Sequence, residues 1–586
     1  MKDLKNIVLC LLLLSMHLSI RFFAVSYWIF YAALFVLSLM IISTKKKVIN
    51  TNHGIAAAMF IFLSLIIRFL FQGNPYGTYW IYVLLSCWLL FLILIILFNQ
   101  DRGKIKSIAG IFIFTCIIEL ILGFAQLFGQ IDSNNEYFIL GGSFGNPNVY
   151  GGYLSVVSPL ILSLLLTYRR NKKAENLCYI LAGCLILIIY MVTMSRSRGA
   201  WLACGLGCMF VLVRHYSLIK KVKRLLRTTT RKIVAIVCIT VLVCAGSYAL
   251  YQWKADSAFG RLLVWKITLS CQSSPYGNTL SYGNGISYLE ANYGKKQAEY
   301  FIHNGETEAE RYVADYVTCA YNDFLEIATE QGQIIMLMFV FVLLLGIFRK
   351  TTGKSALLVG AQASVAAIVV LMCVSYPLKV PAIYLYLVFC LAVIFHAQKA
   401  IGQWPVKWLK WGLPVIALLI AITGSYNIYG YYLLNKGEAF VFKGQLDKGL
   451  GAYQKAEPVL KNNGIFHFYY GSALSMKGEY KAAVKELELS VGKSSNPNSF
   501  ILLGNTYKEL RQFDKAKENY LVAINMIPSR LYPKYLLAKL LIESHEYEEA
   551  EKWANEILNT KEKTPTTAAK EIKEEMETFL KERKYN

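Results

Sequence analysis

The sequence is short of charge. Only 17% of its 586 residues are charged while 56% are hydrophobic, and the mean hydropathy is +0.42. An ordinary soluble domain carries about 25% charged residues, so a single compact water-soluble unit is excluded, as it is by the length. The seven histidines are scattered, and there is neither an HExxH nor a paired CxxC, so no zinc-type motif is present and no metal is expected. No Walker loop and no GxGxxG after a strand occur, which removes the usual signatures of a nucleotide-using enzyme; no cofactor is expected. Most of the thirteen cysteines lie within apolar runs, where a thiol behaves as a small buried apolar group. Cys271 and Cys319 lie outside those runs, leaving two thiols or a disulfide as alternatives.

What the chain has in abundance is long apolar segments. Runs such as Ile81–Phe98, Ile334–Phe348 and Ser355–Ser375 are nearly free of charge. About 20 such residues cross a hydrocarbon core of roughly 30 Å. Expected spans are 7–23, 24–43, 55–71, 79–98, 108–129, 151–168, 177–194, 199–213, 233–250, 333–348, 355–375, 382–397 and 411–430. The run from Ile7 has no small-residue cleavage site and reads as a first span. The excess of basic residues, 61 against 37 acidic, gathers in short loops: Lys45 to Lys47, Arg102 to Lys106, Arg169 to Lys173, Arg214 to Lys232, Arg349 to Lys354 and Lys399 to Lys410. That is a positive-inside pattern rather than a nucleic-acid footprint. Taking those loops as cytoplasmic places 130–150, 195–198, 251–332 and 376–381 on the other face. The expected architecture is all-α: a polytopic transmembrane bundle of about 12–13 spans over residues 1–430, with a large outer loop at 251–332.

After residue 430 the chain becomes charged and Ala-rich, and it repeats. Leu446, Tyr480, Phe513 and Tyr547 are spaced by 34, 33 and 34 residues, and Gly471, Gly504 and Ala538 keep the same step on the preceding helix. Such a period, with small residues where paired helices touch, resembles the tetratricopeptide repeat. A repeat solenoid is expected over 431–560, with 561–586 as a charged capping helix or tail.

Four outer segments could carry chemistry. Gly141 to Gly152 contains Gly145-Asn146-Pro147-Asn148, which is turn chemistry before a span, with the Asn side chains satisfying backbone or orienting a ligand. Ser195-Arg196-Ser197-Arg198-Gly199-Ala200-Trp201 places arginines against the positive-inside trend; they meet an anion there or snorkel to headgroups. Gly260-Arg261 with Trp265-Lys266 is a cationic aromatic patch or an interfacial belt. Ala320-Tyr321-Asn322-Asp323 opens a helix with Glu326 and Glu330 one turn apart, as a site or as an ordinary lead-in helix.

Together, in this order and on one face, these segments resemble the O-antigen ligase and polymerase superfamily. The resemblance runs from about Gly141 to Gly332, and terminal tetratricopeptide repeats fit a subset of that family. It implies a membrane-embedded, metal-independent class C glycosyltransferase in a bacterial inner membrane; on the topology above, an odd number of spans places the repeat domain on the outer, periplasmic side. The donor it implies is an undecaprenyl-diphosphate-linked glycan. The acceptor is lipid A–core for a ligase, a growing glycan for a polymerase, or a protein hydroxyl for an O-oligosaccharyltransferase. On the matching positions, the catalytic group comprises Arg198, Arg261, Tyr321, Asn322 and Glu326, and the substrate-binding group Asn146, Asn148, Arg196, Lys266 and His303. One position departs from the family pattern, which has His where this chain has Tyr321. A neutral imidazole accepts a proton near pH 7, whereas a phenol with a pKa of about 10 does not. Glu326 is the favoured substitute base, with His303, Asp315 and Asp323 on the same side.

Outside this class, the chain could be a non-catalytic glycan-assembly scaffold with the repeats as its working part, binding a protein partner. A transporter is disfavoured, because Arg68 and Glu119 are almost the sole charges within spans.

Overall fold

A long apolar segment with no water to satisfy its backbone must pair its N–H and C=O groups internally, and the helix does that within one segment. The computed structural model of the chain is accordingly almost all helix. It describes residues 2–17, 23–43, 47–133, 135, 137–169, 174–218, 228–229, 233, 237, 240–241, 255–272, 282–303, 307–348, 355–563 and 565–585. Of the expected span 233–250 only 233, 237 and 240–241 are among the described residues, and of the expected basic loops 45–46, 170–173, 219–227, 230–232 and 349–354 lie outside them.

The apolar part comprises α1 (Lys2–His17), α2 (Phe23–Ile42), α3 (His53–Gln72), α4 (Trp80–Gln100), α5 (Gly103–Leu127), α6 (Pro147–Tyr168), α7 (Glu175–Met194) and α8 (Arg198–His215). After four helices of the outer loop, α9 (Ala255–Ser270), α10 (Tyr288–His303), α11 (Glu308–Val313) and α12 (Asp323–Gln331), it continues with α13 (Gln333–Phe348), α14 (Ala356–Val374), α15 (Pro381–His396) and α16 (Val406–Phe442). By length and composition, α2 to α7, α14 and α16 suffice to cross a membrane; Asn6–His17, α13 and α15 are shorter apolar helices. Expected span 199–213 is a helix, α8, but its charged ends keep it out of both groups.

A helix that is apolar all round belongs in the centre. Helix α4 is buried from Ile81 to Phe98 and α15 from Ala382 to Phe395, and the two pack together. Helix α6 lies against α7, α8 and α14. At Gly360 of α14, a side chain would come within 2.8 Å of Leu160, so these two helices approach as closely as small residues allow. Peripheral helices keep one apolar face outward, as at Phe71, Ile186 and Ile422. A two-stranded antiparallel ribbon, β1 (Val48–Thr51) with β2 (Gly402–Pro405), closes one end, with Val48 opposite Pro405. The polar outer segments occupy the opposite end.

The repeat region follows as α17 (Leu446–Leu460), α18 (Gly464–Met476), α19 (Tyr480–Lys493), α20 (Pro497–Glu509), α21 (Phe513–Met526), α22 (Leu531–Glu543), α23 (Tyr547–Asn559) and α24 (Thr567–Tyr585). Helix α16 passes position 430 unbroken. Its last turns form the first helix of the repeat stack, because Gly437 receives the Tyr453 ring of α17 as Gly504 receives Tyr520. The stack rests on the outer loop. Ala298 of α10 is buried with Phe500, Ile501, Met526 and Ile527, Lys295 Nζ donates to the Val491 and Gly492 carbonyls at 3.0 and 3.1 Å, and Gln297 Nε2 donates to Met526 O.

A side chain at Gly504 would stand 2.5 Å from Tyr520 Cε1. Gly504→Val should therefore destabilise the repeat stack by about 1–3 kcal/mol, read as faster limited proteolysis within 480–543 and unchanged cleavage elsewhere.

Candidate active site

Three of the four motif segments turn out to be helix N-caps at the same end of the bundle. Asn146 caps α6, its side chain accepting from Asn148 N at 2.8 Å, with Pro147 at the first helical position. Ser197 caps α8 and accepts from Ala200 N at 3.4 Å. Asn322 caps α12 and accepts from Phe324 N and Leu325 N at 3.0 and 3.1 Å. Residues of these types satisfy orphan amides at helix starts, and each helix start carries the positive end of its dipole. Two of the caps follow a strained residue: Arg196 (φ 50°) and Tyr321 (φ 49°) are in the left-handed region, a cost that clusters at functional sites.

The segments meet around Tyr376, in the turn between α14 and α15. Asn146 Nδ2 reaches Tyr376 Oη at 3.5 Å, a long contact. The Tyr321 and Tyr376 rings are edge-to-face at 5.5 Å, and the Arg261 guanidinium lies 5.7 Å from the Tyr321 ring centre. Asn322 Nδ2 donates to Cys373 O at 3.2 Å, tying α12 to the end of α14. Burial first, and then the nearby Arg198, hold Arg261 below its ordinary value. Burial pushes the Tyr321 phenol up, only partly offset by Arg261.

Beneath this group lies a buried ionic cluster. Lys379 Nζ pairs with Glu326 Oε1 at 2.7 Å, and Glu326 Oε2 accepts from Ala320 N at 3.0 Å. Asp323 Oδ2 accepts from Leu378 N at 3.1 Å, and burial, then Glu326, raise that carboxyl well above its usual range. Although burial disfavours its charge, Glu326, Glu330 and Glu290 hold the Lys379 ammonium well above normal. Arg68 of α3 donates to the Glu330 and Gln331 carbonyls at 2.7 and 2.9 Å, capping the end of α12. Glu326, the expected base, is only 5% exposed, with one oxygen facing the Lys379 ammonium and the other accepting from Ala320 N.

Not every expected residue joins the group. Lys266 points to Tyr300 Oη at 2.5 Å and Glu310 Oε1 at 3.1 Å, at the junction of α9, α10 and α11. His303 is exposed at the last turn of α10, Arg196 is exposed at its turn, and Asn148 is exposed on the first turn of α6. Asp315 pairs with Lys563 of the repeat region at 3.1 Å. Cys271 and Cys319 are both buried free thiols. Tyr376 and Lys379 were missed as site residues; the available signal was a lysine standing in a short outer turn, 376–381, against the charge trend. Among the described residues, no three His, Cys, Asp or Glu are grouped as metal ligands.

Burial, offset in part by Lys379, pushes Glu330 up to about 7 from 4.5. A carboxyl raised in the folded state contributes stability that is present below the unfolded value and lost as pH rises through the folded one. The thermal midpoint in detergent should therefore fall between about pH 5 and pH 8, and Glu330→Gln should flatten that part of the curve. A profile that Glu330→Gln leaves unchanged would contradict the assignment.

Comparison with known proteins adds one family. Residues 183–340 match the family described as O-Antigen ligase, a stretch that includes Arg198, Arg261, Tyr321, Asn322 and Glu326. No curated protein matches. Among solved structures, MamA is 19% identical, covering 26% of this chain and 90% of its own, with a TM-score of 0.22. MamA 41-end from Desulfovibrio magneticus RS-1 is 20% identical, with coverages of 25% and 85% and a TM-score of 0.21. Yeast Tom70 is 12% identical, with coverages of 83% and 94% and a TM-score of 0.20. At such scores these likenesses carry no weight, and the repeat assignment rests on the period and on the packed helix pairs. The chain is almost all helix, with eight helices among the described residues long and apolar enough to cross a membrane, and its residues 183–340 are similar to the O-Antigen ligase family.

Proposed function

We propose that the protein is a glycosyltransferase of the bacterial inner membrane that moves a glycan from undecaprenyl diphosphate to an acceptor hydroxyl on the periplasmic face. The observation that carries this reading is the meeting of Arg261, Tyr321 and Asn146 around Tyr376, with Arg198 near enough to Arg261 to disfavour its charge. Two cations brought together at a membrane edge are suited to a doubly charged group, and guanidinium matches phosphate oxygens.

In the proposed reaction, the bond from the anomeric carbon to the diphosphate oxygen breaks and its electron pair stays on the diphosphate. Arg198 and Arg261 stabilise the charge developing there, joined by the helix starts at Asn146 and Asn322. The acceptor oxygen attacks from the opposite face and inverts the carbon. Its proton leaves late, to water or to the departing diphosphate, so a strong base is not needed at the Tyr321 position. Tyr321 and Tyr376 donate hydrogen bonds to the donor, and Asn322 sets the start of α12. Glu326 acts through Lys379 as a positioning residue for the 376–380 turn.

Arg198→Ala and Arg261→Ala should each lower transfer by about 10²–10³-fold, measured with a polyprenyl-diphosphate glycan and purified protein. Lys266→Ala should change the rate less than about threefold, because its ammonium is committed to Glu310. Normal transfer by both arginine variants would refute the reading. In cells lacking the activity, a sugar-stained gel separates the acceptors: loss of the ladder on lipid A–core means ligase, a single unit on core means polymerase, and loss of sugar from proteins alone means oligosaccharyltransferase.

A further inference from the structure

Glu119 stands in the middle of the apolar helix α5 and is 0% exposed. An ionisable group at that depth is costly and calls for a function, and the chemistry above does not use it. Its carboxylate faces the turn that precedes Asn146. Glu119 Oε2 accepts from Ser143 N at 2.9 Å, and Oε1 accepts from Ser143 Oγ at 2.5 Å. His17 Nδ1 of α1 lies 3.2 Å from the same Oε1, with the His17 ring edge-on to Tyr153 at 4.9 Å. Seven residues on, and so on the same helix face, Gln126 continues the contact. Its Oε1 accepts from Gly141 N and Gly142 N at 3.0 and 2.7 Å, and its Nε2 donates to Gly142 O at 2.9 Å.

Three successive backbone amides, 141 to 143, are thus held by two side chains of one helix. Position 142 has φ +56°, and a Cβ there would collide with Glu119 Oε2 and the Tyr150 ring, so glycine is required by both conformation and space. Tyr150 Oη in turn donates to Glu119 O at 3.1 Å. Two residues after Phe144 comes Asn146, the cap of α6 and the neighbour of Tyr376.

We propose that Glu119 is a positioning residue: through Ser143 it fixes the Gly141–Phe144 turn and thereby sets Asn146 and the start of α6 against the donor's diphosphate. The proposal rests on the functional reading above. A carboxylate suits this task better than an amide, because both of its oxygens accept and the two groups it meets on Ser143 are both donors. The segment lies outside the residues matched by the O-Antigen ligase family, so the clamp is a feature read from this chain alone.

The test uses the full-length protein in nanodiscs and two independent readouts on Glu119→Gln, Ser143→Ala and Glu119→Asp. Amide hydrogen exchange over 141–150 reports the clamp. Steady-state transfer from an undecaprenyl-diphosphate-linked glycan reports its use. Glu119→Gln and Ser143→Ala should speed exchange of the amide at position 143 about tenfold or more, the scale of one lost charge-assisted hydrogen bond. They should also raise donor KM about tenfold while kcat changes less than about threefold. Glu119→Asp, which keeps a carboxylate, should recover most of the donor affinity. Should Glu119→Gln fail to accumulate, Ser143→Ala tests the same contact from the loop side. Unchanged exchange would overturn the clamp, and faster exchange with an unchanged donor KM would overturn its role in binding. Wild-type protein without transfer activity would refute the functional reading instead, and the exchange result would then show the clamp without that use.

Discussion

Two guanidinium groups, Arg198 from the start of α8 and Arg261 from the outer loop, sit close enough for one to disfavour the charge of the other. Like charges in a partly desolvated place repel, and the arrangement is stable only where negative charge or its equivalent is supplied. Much of the surrounding structure serves to keep them there. The turn at Arg196 adopts a strained backbone, Ser197 caps α8, and the outer loop is packed between the bundle and the repeat stack. The helix starts capped by Asn146, Ser197 and Asn322 add positive potential at the same end of the bundle, so that, with the arginines, the place favours an anion. On the proposed reading, such a site has little use for a strong base and much use for a charged leaving group.

The repeat stack is part of this arrangement. One side of α10 meets α20, α21 and the loop after α21, and its other side, with Tyr293 and Phe301, packs on Leu263, Val264 and Ile267 of α9, the helix that carries Arg261. Lys563 adds a further tie at Ala314 O and Asp315. A continuous chain of packed side chains therefore runs from the repeats to the arginine. Because α16 enters the stack without a break, the repeats are also rigidly continuous with the bundle. Their role in support of the loop is physical, whatever else they bind.

Much of the fold was legible in the sequence because it depends on local patterns. Charge-free runs mark the helices, and a step of about 34 residues with small residues where paired helices touch marks the repeat. The start of the stack escaped, because Gly437 lies in a helix whose earlier turns read as a span; apolar and repeat periodicity overlap there. The site was legible as four segments but not as a geometry. Asn146, Arg198, Arg261, Tyr321 and Asn322 come together, while Lys266 and His303 face elsewhere, since helical direction and loop folding are not written in spacing alone. Tyr376 and Lys379 were hidden in a short turn, and the commitment of Glu326 to Lys379 and to the Ala320 amide is a tertiary fact.

The most direct measurement of the central claim is photo-crosslinking of the purified protein with a polyprenyl diphosphate that carries its reactive group beside the phosphates. The account predicts that labelled peptides come from 195–200, 255–265, 320–323 and 373–379, and that excess unlabelled polyprenyl diphosphate suppresses them. Labelling confined to the repeat stack or to the opposite, β1–β2 end of the bundle would contradict it.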